Sequence, residues 1–239
     1  MRILTWNLFH GRSVPAAGRA LGNEFSAMLA SWAWDVALLQ EVPPWWPPML
    51  ASVAGAEQRT ALTSRNSALA LRRGVADRWP DLIKSNGGGS NAVLARSGIV
   101  EHRALTLRRW PERRVAQLAR LGDGTCVVNF HGSARVELAE DELERLWERA
   151  LAWASEAPLI LGGDLNLRHP AAPGGVVHLA SRDVDHIFAQ GADPLSPGRP
   201  LDRRLRAGEA LPELSDHPPL LASARPSPPL SVRESETRF

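Results

Sequence analysis

The chain has 239 residues, 44% of them hydrophobic, and a formal net charge of +2, which suits one large soluble domain with a substantial core. No run of about 20 apolar residues occurs and the N-terminus lacks a secretory signal pattern, so we predict no membrane span and a cytoplasmic location. The single cysteine, Cys126, excludes an intrachain disulfide and, among apolar neighbours, predicts an inert core thiol rather than a nucleophile.

The basic residues are almost entirely arginine. The 28 lysines and arginines include one lysine, Lys84. Arginine makes bidentate contacts with phosphate, so this composition is compatible with a phosphate-binding protein. A GC-rich coding bias would produce the same excess together with abundant alanine, glycine and proline. Charge alone therefore does not predict nucleic-acid binding.

The N-terminal region predicts a strand, a helix and a second strand. Ile3-Leu4 forms an apolar run before Asn7, and residues 15–34 carry apolar side chains at helical spacing. The apolar run Val36–Leu39 then precedes Glu41. Short apolar runs of this kind are typical of strands that are covered on both faces.

The rest of the chain predicts one clear helix among many strands. The helix spans 136–154, with leucines and Trp147 on one face and acidic residues early in the helix. Gly122-Asp123-Gly124 predicts a hairpin, and Gly87-Gly88-Gly89 predicts another turn. The predicted strands are 67–72, 92–96, 99–107, 115–121, 125–130, 158–163, 184–189 and 219–224. Helices mixed with hairpins favour an α/β fold with mixed or antiparallel sheets over a fully parallel one.

We predict one domain over residues 1–224, because no internal repeat and no linker divides the chain. Residues 225–239 combine Pro226, Pro228 and Pro229 with polar residues, which predicts a disordered tail.

Polar residues stand at the ends of apolar runs in several places, and this repetition predicts a site at one edge of the fold. They are Trp6-Asn7, Gln40-Glu41, Asn129 with His131, Gly163-Asp164-Leu165-Asn166 and Ser215-Asp216-His217. Carboxylates and carboxamides are oxygen ligands for a hard cation such as Mg²⁺, while acids and imidazoles can move protons. The pattern therefore predicts metal-assisted hydrolysis of a phosphate ester.

Glu41 and the Gly162–Asn166 segment are the most specific local signals. Glu41 ends a buried strand and is followed by Pro43-Pro44, which stops the chain abruptly and favours a metal-ligand role. Asp164 and Asn166 alternate onto one side of an extended chain, after two glycines that allow close approach of another backbone or a phosphate. The structural alternative is an Asp/Asn turn.

Asp216-His217 is a second candidate pair, because the acid can bind metal while the imidazole reaches a phosphoryl oxygen or water. Asp185, just before a strand, could orient the imidazole of His217. We assign no catalytic role to the other histidines outside the strand-end elements, which are His10, His102, His169, His178 and His186. The chain has no Gly-x-Ser-x-Gly elbow, Walker loop or dinucleotide-binding glycine motif, which excludes those reaction classes.

In their order along the chain, these elements resemble the endonuclease/exonuclease/phosphatase superfamily, whose members include deoxyribonuclease I. The residues that carry the resemblance are Thr5-Trp6-Asn7, Leu39-Gln40-Glu41, Asn129-Phe130-His131, Gly163-Asp164-Leu165-Asn166, Asp185-His186-Ile187-Phe188 and Ser215-Asp216-His217. The resemblance implies a four-layer α/β/β/α sandwich of two mixed β-sheets flanked by helices, with the site at one rim.

The resemblance also implies a metal and a water-activating pair. Glu41 resembles the main Mg²⁺ ligand, and Asn7 and Asp216 resemble further ligands; Mn²⁺ is an alternative metal. Asp164 and Asn166 resemble the pair that aligns or deprotonates the attacking water.

The phosphate contacts follow from the same resemblance. His217, oriented by Asp185, resembles the histidine that contacts the scissile phosphate, and Asn166 is a further phosphate-binding residue. His131 resembles the second family histidine, near the leaving group. Arg114 stands where many members place a phosphate-contacting arginine, although a solvated charge at a strand end explains it equally well. The chain has no tyrosine, so a mechanism that uses a phenol near the phosphate cannot operate.

The substrate is a phosphate ester, which leaves several functions open. A Mg²⁺-dependent phosphodiesterase or nuclease is the main prediction, with in-line attack by water. The alternatives are a phosphomonoesterase acting on inositol or sugar phosphates, and a phosphate-binding module without catalysis. We expect a monomer without an obvious basic block for gripping duplex DNA. Trp45-Trp46 is either a stacking contact for a base or sugar, or a buried anchor for the following helix.

Overall fold

The computed structural model describes residues 1–64, 66–82, 89–204 and 212–227. Two six-stranded sheets pack face to face, and helices cover their outer faces. The predicted four-layer α/β/β/α sandwich is therefore confirmed. The helices are α1 (Gly22–Ser31), α2 (Pro47–Ala54), α3 (Leu69–Arg78) and α4 (Val136–Ala154). The strands are β1 (Arg2–Asn7), β2 (Ser13–Val14), β3 (Val36–Val42), β4 (Glu57–Leu62), β5 (Ser90–Ala95), β6 (Ile99–Arg108), β7 (Arg114–Leu121), β8 (Cys126–His131), β9 (Leu159–Asp164), β10 (Val177–Arg182), β11 (Asp185–Gln190), β12 (Ala192–Pro200), β13 (Glu213–Leu214) and β14 (Leu220–Pro226).

Both large sheets are mixed. The first has the strand order β12-β14-β1-β3-β5-β4 and the second β10-β11-β9-β8-β7-β6. Each contains one parallel pair, β1 with β3 and β8 with β9, whereas the other neighbours run antiparallel. Strands β2 and β13 form a small separate sheet.

Alternation along the strands sends apolar side chains to two different cores. Ile3 packs between the two sheets, whereas its neighbour Leu4 packs outward against Phe25 and the helices on that side. In the second sheet, Val127 faces the inter-sheet core and Val128 faces the α4 side. Both faces of these strands are covered, which is why they are continuous apolar runs in the sequence.

The predicted elements agree with the structure in part. Helix 136–154 and the hairpin turn at Gly122-Asp123-Gly124 are confirmed, and Gly124 adopts the positive φ that such a turn requires. The helix predicted over 15–34 is shorter and begins only at Gly22, after Gly18 with its own positive φ.

The strand predicted at 67–72 is wrong, because helix α3 begins at Leu69. The Ala-Leu-Ala-Leu alternation there has the strand period, yet alanine, leucine and arginine are strong helix formers on this exposed segment. Gly87 and Gly88 of the other predicted turn lie outside the described residues.

The tail predicted over 225–239 does not include its first two residues. Arg225 and Pro226 are still part of β14, paired with β12 at the edge of the first sheet, where proline is tolerated. Residues 228–239 lie outside the described residues. Cys126 is buried, and burial raises its thiol pKa to about 11, in agreement with an inert core thiol. Among the described helices, none has the length and hydrophobicity that crossing a membrane requires.

Candidate active site

Strand direction brings the predicted polar residues to one edge of the sandwich. Because β1 and β3 are parallel, Asn7 and Glu41 leave the first sheet on the same side. In the second sheet β8 and β9 are parallel, and His131 stands directly opposite Asp164. Asp185, at the start of the antiparallel β11, is the partner of Asp164 on its other side.

A cleft of about 320 Å³ opens at this edge. All residues that were assigned a catalytic, phosphate-binding or metal-binding role line it except Asp185, which lies behind His217. The predicted residues in the cleft wall are Asn7, Glu41, Arg114, His131, Asp164, Asn166, Asp216 and His217. The structure thus brings together residues that the sequence distributes over more than 200 positions.

Asp164 is the most connected acid in the cleft. Its Oδ2 accepts a hydrogen bond from Asn7 Nδ2 at 2.9 Å, and its Oδ1 accepts one from the backbone N–H of Asn166 at 3.0 Å. The Nε2 atoms of His131 and His217 lie 3.6 and 3.8 Å from Oδ2. Burial raises the pKa of Asp164, while His217 and the two hydrogen bonds oppose that rise. Asp164 is therefore a buried acid held in a fixed orientation.

Glu41 has an elevated pKa. Burial raises it to about 7, and the charges of Asp164 and Asp216 contribute to the rise. Its Oε2 lies 3.2 Å from Nε2 of His10, and its Oε1 lies 4.0 Å from Nε2 of His131. A cation bound in the cleft would offset the repulsion that Asp164 and Asp216 exert on Glu41.

His217 is held from both sides. Its Nδ1 lies 2.8 Å from Oδ2 of Asp185, and its carbonyl oxygen accepts a hydrogen bond from Trp6 Nε1 at 3.0 Å. Burial opposes protonation of the imidazole, but the hydrogen bond to Asp185 and the surrounding carboxylates raise its pKa to about 9. Burial also raises the pKa of Asp185, to about 6. At neutral pH the pair is an imidazolium beside a carboxylate, with Nε2 directed toward Asp164.

Two glycines allow the Asp164–Asn166 segment to fit. At Gly163, with a φ of 149°, a Cβ would collide with the carbonyl oxygen of Phe130, and at Gly132 a Cβ would collide with that of Leu165. The predicted close approach is thus to backbone. Asn166 has a φ of 54° and donates from Nδ2 to the carbonyl oxygen of Gly132 at 3.0 Å.

Arg114 supplies a buried cation. Its Nη2 donates to Glu112 Oε2 at 2.7 Å, whereas its buried Nε has no hydrogen-bond partner among the described residues. The side chain is only about 10% exposed, so the alternative of a solvated charge at a strand end does not hold. A buried donor without a partner is costly, and an anion in the cleft would be a suitable acceptor.

Asn129 and Gln40 were predicted among the site elements, but they lie beneath the cleft rather than in its wall. Gln40 Nε2 donates to Asn129 Oδ1 at 2.7 Å, and Asn129 Nδ2 donates to Gln117 Oε1 at 3.2 Å. All three amides are fully buried and connect the two sheets. They stabilise the relative position of the sheets, and so of the acids above them.

Backbone strain is concentrated around the cleft. Of the eight described non-glycine residues with positive φ, five lie in the cleft wall or next to it. They are Phe9, His10, Glu41, Asn166 and Ser215. Such conformations are unfavourable for residues with a Cβ and are concentrated at functional sites.

Several cleft residues were not predicted. His10, only three residues after Asn7, lies in the 3-10 turn Phe9–Gly11, and its nearness to Asn7 was the one available signal. Thr63 and Ser64 had no signal, because their positions depend on how the loops after β4 and β6 fold against each other. Arg113 stands in the run Glu112-Arg113-Arg114, from which Arg114 was chosen.

The donor set fits a hard divalent cation. Glu41 and Asp216 face the cleft beside Asn7, whose Oδ1 accepts one hydrogen bond, from the backbone of Phe9 at 2.9 Å, and has a second lone pair. Oxygen donors and mutually repelling acids are the chemistry that Mg²⁺ requires. The ligand atoms of Asp164, Asp185 and His217 also lie within 4.8 Å of one another, but the short Asp185–His217 hydrogen bond explains that group without a metal.

The Trp45-Trp46 pair lies outside the cleft wall. Trp46 is buried, contacts the Phe25 ring at a centroid distance of 5.4 Å and stands at the start of α2. Trp45 is partly buried, with the guanidinium of Arg73 5.9 Å from its ring. Of the two predicted alternatives, the structure supports the buried anchor for Trp46.

Comparison with known families gives one match over most of the chain. The model of the Endonuclease/Exonuclease/phosphatase family matches residues 4–217. That range begins in β1 and ends at His217, so it contains every predicted site residue. A comparison with curated proteins gave no significant match.

Solved structures with the same fold are similar over nearly the whole chain. An endonuclease/exonuclease/phosphatase from Beutenbergia cavernae is 19% identical with a TM-score of 0.72, over 95% of this chain and 72% of its own. The mannosyl-6-phosphatase from Bacteroides thetaiotaomicron is 15% identical with a TM-score of 0.71, over 94% and 99%. A humanized D. rerio TDP2 is 15% identical with a TM-score of 0.67, over 94% and 98%. At these identities the likeness shows the fold.

Proposed function

This chain belongs to the endonuclease/exonuclease/phosphatase family, and we propose that it is a Mg²⁺-dependent phosphodiesterase of the nuclease type. The observation that supports this most is the coexistence of two opposite binding environments in one cleft. Half-buried Glu41 and buried Asp164 are acids suited to a cation, while His217 and Arg114 are cations suited to a phosphate. Hydrolysis of a phosphate ester needs both.

Water activation is assigned to Asp164 and Asn166. In the reaction, the water oxygen forms a bond to phosphorus while the bond from phosphorus to the leaving oxygen breaks. Asp164 accepts the proton that the water loses, and its raised pKa makes it a better base than an exposed aspartate. Asn166 is fixed by Gly132, so its side-chain oxygen can orient the water.

Phosphate binding is assigned to His217 and Arg114. The imidazolium donates from Nε2 to a non-bridging phosphate oxygen and stabilises the charge that develops there. Asp185 holds the imidazole through Nδ1 and acts as a positioning residue. The Nε of Arg114 donates to the same phosphate group. His131 is assigned to the leaving oxygen, to which it gives a proton.

A Mg²⁺ or Mn²⁺ ion held by Glu41, Asn7 and Asp216 would supply Lewis-acid stabilisation of the phosphate charge. Glu41 is the principal holder, because its half-buried carboxylate lines the cleft and the charges of Asp164 and Asp216 act on it.

Two alternatives are separated by experiment. A phosphomonoesterase acting on inositol or sugar phosphates would use the same acids, and one structural neighbour is named as a mannosyl-6-phosphatase. A phosphate-binding module without catalysis would need a lost catalytic group, yet every predicted position holds a chemically competent residue.

The test is hydrolysis by purified protein with Mg²⁺ or with EDTA. The substrates are single-stranded and duplex DNA, RNA, bis-p-nitrophenyl phosphate and inositol and sugar monophosphates. EDTA-sensitive cleavage of diesters supports the proposal. Release of phosphate from monoesters alone would establish the phosphatase, and no hydrolysis of any substrate would establish the binding module.

A further inference from the structure

The connection between β6 and β7 presents an exposed tryptophan between arginines. The segment 108–114 contains four arginines, one glutamate and Trp110. Trp110 is 81% exposed, which is unusual because tryptophan is among the more buried residues on average. No obvious basic block was identified above, yet four arginines lie within these seven residues, and the structure places them at a hairpin tip between β6 and β7.

The hairpin tip is attached to the wall of the cleft. The backbone N–H of Arg113 donates to Ser64 Oγ at 2.6 Å, which ties the tip to the loop after β4. Arg113 and Arg114 both line the cleft. Trp110 precedes Arg113 by three residues, so its backbone lies within about 11 Å of it. The Trp110 backbone is therefore near the cleft, and its side chain is not part of the cleft wall.

Two of the four arginines have guanidinium groups that are available to bind a ligand. Arg108 is bound to Asp141 and Glu142, and Arg114 is bound to Glu112. Arg109 and Arg113 are exposed, and within the described ranges their guanidinium groups form no ion pair. In the sequence, Trp110 thus lies between two arginines, Arg109 and Arg113, whose guanidinium groups form no ion pair within the described ranges.

We propose that Arg109, Trp110 and Arg113 form a subsite for single-stranded nucleic acid. A base next to the scissile phosphodiester stacks on the indole, and the arginines bind the flanking phosphates. Aromatic faces flanked by cations bind single strands with little sequence preference, because every base has a π-face. A duplex is excluded from this contact, since its base faces are already stacked on one another.

The inference rests on the proposed function and narrows its substrate to a polynucleotide strand. A monophosphate that fills the catalytic cleft does not extend to a residue outside the cleft wall. A polynucleotide extends past the cleft and carries the repeated negative charge that two separate arginines complement.

The test compares a long and a short diester in matched variants. The variants are Trp110→Ala, Trp110→Phe, Arg109→Gln and the control Trp79→Ala, which removes another exposed tryptophan outside the cleft wall. Stacking of one base is worth about 1–3 kcal/mol, so Trp110→Ala should lower kcat/KM on a single-stranded oligonucleotide by roughly 5- to 150-fold. Hydrolysis of bis-p-nitrophenyl phosphate should not change. Trp110→Phe should retain most activity, and Arg109→Gln should weaken the salt dependence.

Binding separates failure of the subsite from failure of the catalytic proposal. A labelled oligonucleotide is titrated by fluorescence anisotropy in EDTA, where no turnover is required. Weaker binding by Trp110→Ala than by Trp79→Ala supports the subsite even if no diester is hydrolysed. Equal binding by the two variants, or an equal loss of turnover on both substrates, would overturn it and leave the hairpin tip to a protein partner.

Discussion

The imidazole Nδ1 of His217 lies 2.8 Å from the carboxylate Oδ2 of Asp185, although the two residues are 32 positions apart. Asp185 begins β11 beside Asp164, and His217 stands just before β14 in the other sheet. The pair therefore joins the two sheets at the cleft. It also fixes which nitrogen of His217 faces the substrate.

Asp185→Asn should lower the pKa of His217 and the activity together. The hydrogen bond and charge of Asp185 are the main reasons that the imidazole pKa rises to about 9 against the effect of burial, so removing that charge should lower the pKa. Protonated His217 contributes stability that is complete below about pH 6.5 and is lost as the pH rises through about 9. Turnover should fall roughly 10²- to 10⁴-fold.

NMR titration of the histidine resonances measures the pKa, and a pH–rate profile measures the activity. The control is Asp183→Asn, an exposed neighbour bound to Arg168. An unchanged His217 pKa in Asp185→Asn would contradict the role of Asp185.

Glu41→Gln should stabilise the metal-free protein at neutral and alkaline pH. The pKa of Glu41 is about 7 in the folded protein and near its ordinary value of 4.5 in the unfolded chain, so the folded chain holds an extra proton between these values. Raising the pH through that window lowers the free energy of unfolding of the wild type, by at most about 3 kcal/mol. Glu41→Gln has no carboxylate to titrate, so its free energy of unfolding should not show this fall.

Denaturant unfolding in EDTA at pH 5 and pH 8 measures the effect. The control Glu148→Gln changes an exposed glutamate on α4 and should follow the wild type. If Glu41→Gln lost as much stability between the two pH values as the wild type, the pKa of Glu41 would not be raised in the folded protein.

Mg²⁺ should raise the melting temperature of the wild type but not that of Glu41→Gln. Binding to the folded state alone adds about 2.7 kcal/mol at 100 times Kd. Removing the principal carboxylate ligand should abolish most of that gain, while Glu148→Gln should preserve it. Thermal unfolding at increasing Mg²⁺ gives the answer. An equal shift in Glu41→Gln would place the metal elsewhere.

Gly163→Ala should destabilise the protein by at least about 2 kcal/mol, because the new Cβ would collide with the Phe130 carbonyl and the φ of 149° is strained for alanine. Gly174→Ala is the matched control, since nothing lies within 4 Å of its added Cβ. Urea unfolding compares the two variants. Similar stabilities would show that the β8 and β9 backbones can separate at this point.

The sequence predicts those parts of the fold that depend on local periodicity. Helix α4 has one apolar face over its whole length, so its limits could be predicted from spacing alone. Helix α3 buries only Ala76, and its short alternating segment has no core face to distinguish helix from strand. Strands β4, β10 and β12, at the edges of the sheets, were missed for the same reason, because most of their side chains are not buried and the sequence there has no apolar run.

In the site, too, residues with a local sequence signal could be predicted, and residues placed by tertiary contacts could not. Glu41 and Asp164 could be predicted, because each ends a buried strand and such ends meet at one edge. Ser64 and Trp110 could not, because they lie on loops whose positions depend on tertiary contacts such as the bond from Arg113 to Ser64. Asn129 has the same strand-end pattern as a site residue, and only its contacts show that it connects the sheets.

The central claim is tested most directly by Mg²⁺-dependent turnover of bis-p-nitrophenyl phosphate by the wild type and by Asp164→Asn. Asp193→Asn, an exposed residue of β12, is the control. The substitution keeps the shape of Asp164 and removes the base, so we predict folded protein with turnover reduced at least about 100-fold, and full turnover in the control. Wild-type turnover in Asp164→Asn would contradict the assignment of this cleft as the hydrolytic site.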